Sequence, residues 1–459
     1  MSAIRHIAVL DIGKTNAKVV VVDAGTGLEI VARSTPNRVL KTGLYPHYDV
    51  ETLWEFCLGA LSEFASDPGF DAISVTAHGA AAVLLDGQGL AMPAIDYEYS
   101  YPDEVCAAYA ALRPDFSETG SPLQSGGLNV GAQIHYQKTQ FPAEFATVRT
   151  IVTYAQYWVW RLTGIARNEV TSLGCHTDLW NPQTCSYSSL VDKLELRPLL
   201  PPIAPAFERI GGILPAVAAE IGSKQSIPVY CGIHDSNASL LPHLMRRKSG
   251  FSVISTGTWV VLFAVGGTLE QLDPDRDTLA NVDVYGKAVP SARFMGGREF
   301  DQLTHGQIAE PDVETLARII ADRTMILPSI IQGSGPFPNH KAVWLNGEPD
   351  GASDRNAAAS LYAALMTQTS LQLIGAIGPT IVEGPFSRNQ IYLSALRSLT
   401  SREVIAAPGS TGTSLGAALL AGAKLPVESV DETILPLGTD FDFYARHWRD
   451  STVDARLLL

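Results

Sequence analysis

The chain opens with a strand, a polar turn and a second strand. Apolar Ile7–Leu10 gives way to Asp11-Ile12-Gly13-Lys14-Thr15-Asn16, and a valine-rich stretch follows over Ala17–Val22. Short apolar runs rich in β-branched residues and bounded by Gly and Asn predict the two arms of a hairpin. Asp23–Gly27 predicts another turn and Leu28–Arg33 a third strand. Asp49–Phe64 then switches to helical apolar spacing, with Asp49 as N-cap. Strands are expected at Ala72–Thr76 and Ala82–Leu85, on either side of the Ala77-His78-Gly79 turn. Tyr154–Leu162 reads as a helix ended by Gly164, Pro228–Gly232 as a strand and Ser236–Met245 as a helix. Leu199–Pro205 is too rich in proline for a helix interior or a central strand and predicts a connection.

The opening plan recurs. Phe251–Ile254, Ser255-Thr256-Gly257-Thr258 and Trp259–Val265 again read strand, polar turn, strand, about 245 residues after the first hairpin. This predicts two lobes, each opening with a hairpin, divided near Arg246–Gly250 into residues 1–246 and 247–459. The second lobe continues as a helix (Asn356–Ile377), a strand (Thr380–Glu383), a helix (Gln390–Leu399), a strand (Glu403–Ala406) and a helix (Thr413–Ala423). Alternating strands and helices make the fold class α/β.

Composition narrows the function classes. The 459 residues are 46% hydrophobic and 17% charged, which supports large cores and excludes wholesale disorder. The formal net charge of −14 argues against a general affinity for nucleic acid or an anionic membrane. No apolar run reaches the roughly 20 residues of a membrane helix. The N-terminus enters a strand at once, without the layout of a signal peptide. The cysteines (Cys57, Cys106, Cys175, Cys185, Cys231) are scattered and odd in number, as expected for buried reduced thiols in a cytoplasmic protein.

With so acidic a chain, an anionic ligand must be held by local features. Asp11–Lys18 (DIGKTNAK) offers backbone N–H groups at a glycine turn, the side chains of Thr15 and Asn16, a carboxylate at Asp11 suited to Mg2+, and Lys18 to offset charge. A strand follows it, so it is not the helix-opening Walker loop. Ser255–Thr258 (STGT) is a second such tip. Asp235 stands where a strand gives way to a helix, a place that favours an ionised carboxylate able to take a hydroxyl proton. Gly384–Asn389 and Gly409–Gly412 are glycine-bearing loops before helices. Each feature alone also fits ordinary turn or capping chemistry.

Together, from Asp11 to about Ala423, they resemble the FGGY carbohydrate kinases of the sugar kinase, actin and heat-shock chaperone superfamily. Asp11, Gly13, Thr15 and Lys18 fit the family's first phosphate loop. AHGAAAVLLDGQGLAMPAIDYE fits its sugar-binding segment, RLTGIARNEVTSLGCHTDLWN its LTG segment, and GIHDSNAS its Gly-x-x-Asp motif. STGTW resembles its second phosphate hairpin, and VEGPFSRNQ and SLGAALLAG its adenosine motif and closing helix. The resemblance implies two ribonuclease-H-like (actin-like) lobes with a central ATP/sugar cleft. The first lobe would bind sugar and phosphate, the second adenosine and phosphate. Asp235 is implied as catalytic base, and Asp11 and Asp235 as carboxylates for Mg2+. ATP would be held by Gly13, Lys14, Thr15, Asn16, Lys18, Ser255, Thr256, Gly257, Thr258, Gly384, Asn389 and Gly412. The sugar would be held by His78, Gly79, Glu98, His234 and Asp235.

His234-Asp235 followed by STGTW is most similar to the L-rhamnulose and L-fuculose kinases, implying a 6-deoxyketohexose as substrate, with Tyr97, Tyr99 or Trp259 as apolar lining. A pentulose or polyol kinase, a catalytically silent sugar sensor and an actin-like ATPase are the rival readings. The only partner implied is the small sugar, with a homodimer as a family expectation. Several residues depart from the family pattern. Lys14 replaces a small residue, Glu98-Tyr99 stands where an Asp or Arg is usual, and Glu383 and Pro385 alter the adenosine motif. Gly296-Gly297-Arg298-Glu299 has no assigned role.

Overall fold

The computed structural model describes residues 4–408, 412–427 and 433–455. The chain forms two compact units. One comprises Met1–Arg246, Ala280–Ala288 and Thr411–Glu428; the other comprises Arg247–Leu279, Val289–Ser410 and Ser429–Leu459. The first break falls where the RRKSG segment places it, but two later segments return to the first unit. The helix read from sequence as closing the second lobe therefore belongs to the first.

The first unit is built on a mixed sheet. His6–Ile12 pairs antiparallel with Asn16–Asp23, which pairs antiparallel with Glu29–Pro36. On its other side His6–Ile12 runs parallel to Ala72–Ala77, which runs parallel to Pro228–Tyr230. The expected strand at 228–232 is broken: Gly232 takes a φ of 83°, where a β-carbon would lie 2.8 Å from the Val75 carbonyl. The chain then resumes as Ile233–His234, again parallel to Ala72–Ala77.

His6–Ile12 is buried on both faces, which is why it reads as an unbroken apolar run. Ala8, Leu10 and Ile12 join the core that includes helices Val50–Ser66 and Tyr154–Thr163. Ile7 and Val9 join the core that includes Asp235–Arg246 and Gly412–Leu420. Side chains alternate along a strand, so Asp11 falls on the second of these faces. Asp49 caps its helix as expected, accepting from the Thr52 N–H at 3.2 Å.

The second unit repeats the plan. Phe251–Thr256 pairs antiparallel with Val260–Val265, which pairs antiparallel with Ala288–Phe294. On its other side Phe251–Thr256 runs parallel to Thr380–Glu383, which runs parallel to Val404–Ala407. Counting only the five strands just named in each, both sheets follow the order 3-2-1-4-5; the first also holds Arg209–Gly212 and Ile233–His234, and the second Thr278–Val282. The long helix Ala352–Leu373 covers this sheet and is buried along nearly its whole length. None of the five cysteines is in a disulfide; Cys57, Cys175 and Cys231 are buried, but Cys106 and Cys185 are exposed, against expectation. Among the described residues no helix is long and apolar enough to cross a membrane.

Candidate active site

Sheet register assembles the site in the first unit. Asp11 is level with Thr76, and Ile12 with Ala77; Ile233 and His234 are level with the same two residues. Asp11, His78 and Asp235 therefore emerge together where the parallel strands end, the edge at which open α/β sheets place their ligands.

Asp235 is the first residue of the helix Asp235–Arg246. Its approach is fixed from behind. Buried Glu169 caps a short helix by accepting from the N–H groups of Thr171 (3.0 Å) and Ser172 (3.4 Å). The Thr171 hydroxyl donates to Glu169 and accepts from the backbone N–H of His234 at 3.1 Å. The Asp235 carboxylate accepts from the Ser236 N–H at 2.6 Å, and 28% of its side chain remains open to solvent. Burial raises its pKa above the ordinary carboxylate range, and nearby His78 and the Ser236 hydrogen bonds oppose the rise.

Two histidines flank it. His234 Nε2 lies 3.2 Å from Asp235 Oδ1, and Asn237 Nδ2 lies 3.4 Å from His234 Nδ1. Asn237 Nδ2 can only donate, so the ring proton of neutral His234 sits on Nε2, the nitrogen 3.2 Å from Asp235 Oδ1. His78 donates through Nδ1 to the Gly79 carbonyl at 2.7 Å, leaving its buried Nε2 without a protein partner. Burial pulls both histidines down to about 4, so both are neutral at physiological pH. A β-carbon on Gly79 would lie 2.6 Å from His234 Nε2. The glycine is what lets the His78 turn close on the His234-Asp235 pair.

Asp11 is the second carboxylate. It accepts from the hydroxyls of Thr413 and, at 3.5 Å, Ser414, at the start of the helix Gly412–Leu420. That helix crosses Asp235–Arg246 at very close range: a β-carbon on Gly416 would lie 1.8 Å from the Ala238 carbonyl. Burial, with the Asp235 charge adding to it, raises Asp11 to about 6, against the lowering effect of the Thr413 hydrogen bond. Two carboxylates that repel one another, with hydroxyls beside them, fit a divalent cation. Among the described residues no group of three or more acidic, His or Cys side chains could hold a metal alone. Mg2+ keeps waters and phosphate oxygens and takes one or two carboxylates from protein, and Asp11 and Asp235 are two such carboxylates.

The expected phosphate ligands divide. Thr15 and Asn16 are exposed at the first hairpin tip, where the Gly13 N–H donates to the Asn16 carbonyl at 3.0 Å. Lys14 and Lys18 are not free: Lys14 donates to Asp96, and Lys18 donates to both Glu29 carboxylate oxygens at 2.6 and 2.7 Å. Ser255, Gly257 and Thr258 are exposed at the second tip, but Thr256 is buried. The Thr256 hydroxyl donates to the Glu383 carbonyl and accepts from the Phe386 N–H at 3.1 Å, so it braces the next loop. Gly384 is required there, because a β-carbon would lie 2.0 Å from the Thr256 carbonyl. Asn389 is an N-cap, accepting from the Tyr392 N–H at 3.0 Å and donating to Ser360 at 2.8 Å. Gly412 is the first residue of its helix, with φ 60°.

In the unassigned Gly296–Glu299 segment, Gly297 and Glu299 are packed against their surroundings while Arg298 is exposed. Gly297 abuts the second tip, where a β-carbon would lie 2.0 Å from the Gly257 carbonyl. Buried Glu299 accepts from the Ile331 N–H at 3.1 Å and the Tyr362 hydroxyl at 3.3 Å.

Three residues missed from sequence complete the first unit's site: Asp96, Tyr48 and Thr413. Asp96 accepts from Lys14, from the Tyr48 hydroxyl at 3.4 Å and from the Glu98 N–H at 3.2 Å. Glu98, expected to hold sugar, is 67% exposed and 3.8 Å from the Lys14 ammonium. The available signal was an isolated Asp in the aromatic stretch AIDYEYSY.

Family models match most of the chain. Residues 6–242 match the N-terminal domain of the FGGY family of carbohydrate kinases, and 248–429 match the C-terminal domain of carbohydrate kinase FGGY. Among solved structures, a carbohydrate kinase from Novosphingobium aromaticivorans is 37% identical with a TM-score of 0.90, over 97% of this chain and 100% of that one. A xylulose kinase from Rhodospirillum rubrum shares the fold at 19% identity and TM-score 0.81, over 99% of each chain. A gluconate kinase from Lactobacillus acidophilus does so at 15% and 0.77, over 100% of this chain and 98% of that one. No curated protein matches. Such kinases are phosphotransferases that use ATP with Mg2+, and the chain belongs to the FGGY family of carbohydrate kinases.

Proposed function

We propose that this kinase transfers the γ-phosphoryl group of ATP to a hydroxyl of a small ketose, with Asp235 as general base. The observation that carries the reading is the Asp235 carboxylate at the head of its helix. It is part-open to solvent, held by Ser236 and flanked by two neutral histidines. A carboxylate whose pKa is raised by burial is a stronger base than a free one, and so suits removal of a hydroxyl proton. As the acceptor oxygen attacks phosphorus, its proton passes to Asp235, the new O–P bond forms, and the bond to the ADP oxygen breaks. Asp11 and Asp235 would hold Mg2+, which when bound neutralises charge on the phosphates. Gly13, Thr15 and Asn16 would meet the phosphates with backbone and side-chain donors. Ser255, Gly257 and Thr258 of the second unit, with Gly384 and Gly412, are further proposed nucleotide contacts.

A 6-deoxyketohexose such as L-rhamnulose or L-fuculose is favoured by the His234-Asp235 pair and the STGTW tip. Tyr97, edge-on to His78 at 5.6 Å, gives the apolar surface that a sugar methyl group wants. The test is a coupled assay of ADP release against L-rhamnulose, L-fuculose, xylulose, glycerol, gluconate and common aldoses. ADP release that depends on a ketose is expected. ATP hydrolysis that is indifferent to every sugar would overturn the proposal.

A further inference from the structure

Lys14 comes from the tip of the first phosphate hairpin, yet its side chain does not stay there. Its ammonium donates to Asp96 and lies over two aromatic rings, 4.9 Å from the centroid of Tyr48 and 4.7 Å from that of Tyr97. Both tyrosines also face His78, at 5.0 and 5.6 Å between centroids. His78 in turn feels the charges of both Asp235 and Lys14. Lys14 is thus tied into the cluster around the proposed base. It is well enclosed, with 17% of its side chain exposed, and Asp96 is more so at 9%.

An ammonium has three donors. Asp96 takes one, and Glu98, at 3.8 Å, is beyond hydrogen-bond range. Donors therefore remain for a ligand beside the tyrosine rings. The charges around them are unequal. Among the described residues, Lys14 is the one lysine or arginine in this cluster, against the carboxylates of Asp96, Glu98 and Asp235.

We infer that Lys14 is a specificity-determining residue of the acceptor subsite: it presents N–H donors to sugar hydroxyls, and the surplus of carboxylates around it excludes acceptors that carry a carboxylate. This rests on the kinase reading above and deepens it. It moves Lys14 from the nucleotide to the acceptor, and it separates this chain from a kinase of sugar acids by charge.

The test uses the full chain and two readouts. Thermal stabilisation by L-rhamnulose, xylulose or gluconate alone, and separately by ATP with Mg2+, reports binding without turnover. Steady-state kinetics then give KM for acceptor and for ATP. Loss of one charged donor should raise the acceptor KM of Lys14→Met about tenfold to a hundredfold. The ATP KM should change less than about threefold, and Lys14→Arg should recover part of the loss. Gluconate should neither stabilise the protein nor be phosphorylated at a rate near that of a ketose. A rise in the ATP KM with the acceptor KM unchanged would overturn the inference, as would efficient phosphorylation of gluconate. Failure of the kinase reading is distinguishable: ketoses would stabilise the wild type more than Lys14→Met, yet none would release ADP.

Discussion

At the scale of single residues, the site depends on carboxyl groups kept in unusual environments. Glu169 is fully buried, and burial pushes its carboxyl up from 4.5 to about 7. The folded chain thus holds that proton more tightly than the unfolded chain. Stability is therefore full below the unfolded value and falls as pH rises through the folded one, by about 1.4 kcal/mol per unit within that window. Glu169→Gln keeps an acceptor for the cap but cannot ionise. Its melting temperature should rise relative to wild type between pH 5 and pH 8; parallel melting curves across that range would show that Glu169 is not the titrating group. The two histidines behave oppositely. Held near 4, they stay neutral above about pH 5, so an acid limb in the rate profile belongs to a carboxylate. Asp11 and Asp235 were legible in the sequence because a strand end and a helix start are local features. The Lys14–Asp96 pair was not, since its partners are 82 positions apart and only the turn into the sheet edge brings them together. Thr256 and Asn389 misled for a related reason. Hydroxyl and amide groups in glycine loops serve ligands and backbone alike, and only the tertiary contacts decide which.

At the scale of elements, the crossing of helices Asp235–Arg246 and Gly412–Leu420 ties one carboxylate to the other. One helix begins with the base, and the other begins with the hydroxyls that hold Asp11. Gly416→Ala would force the two apart, because its β-carbon meets the Ala238 carbonyl. We expect a stability loss of about 1–3 kcal/mol, typical of overpacking, together with a lower kcat as Thr413 withdraws from Asp11. Unchanged melting and unchanged turnover would contradict this account of the crossing. Hairpins and the helices with one apolar face were readable from spacing alone. The helix Val130–Gln140 was not, because it is buried almost all round and carries polar residues inward. Gln133 Nε2, for example, donates to the carbonyls of Ala80 and Gly127, both at 2.6 Å. Such a helix shows neither stripe nor alternation. The long helix of the second unit starts at Ala352, ahead of the expected Asn356, because buried Arg355 donates to the carbonyls of Pro349 and Asp350 and anchors a polar first turn.

At the scale of the whole molecule, the two units share one strand order but do not divide the chain at a single point. Ala280–Ala288 and Thr411–Glu428 belong with the first unit although the second interrupts them. Leu415, Leu419 and Leu420 share a core with Ile7, Val9 and Val20 of the first sheet. At about 1.5–3 kcal/mol per buried side chain, losing these three would remove a large part of a typical stability margin of about 5–15 kcal/mol. A fragment of residues 1–246 should therefore fail to unfold cooperatively in calorimetry. A sharp, reversible transition for that fragment would contradict the shared core. The repeated plan was legible because two polar hairpin tips punctuate apolar strands. The return of the later segments was not, because small residues such as Gly416 give no sign of the partner they face. The account as a whole converges on Asp235, and its most direct test is sugar-dependent ADP release by Asp235→Asn in the full chain, with ATP binding followed by thermal shift. The account predicts turnover reduced about a hundredfold to ten-thousandfold with ATP binding retained; turnover close to wild type would contradict it.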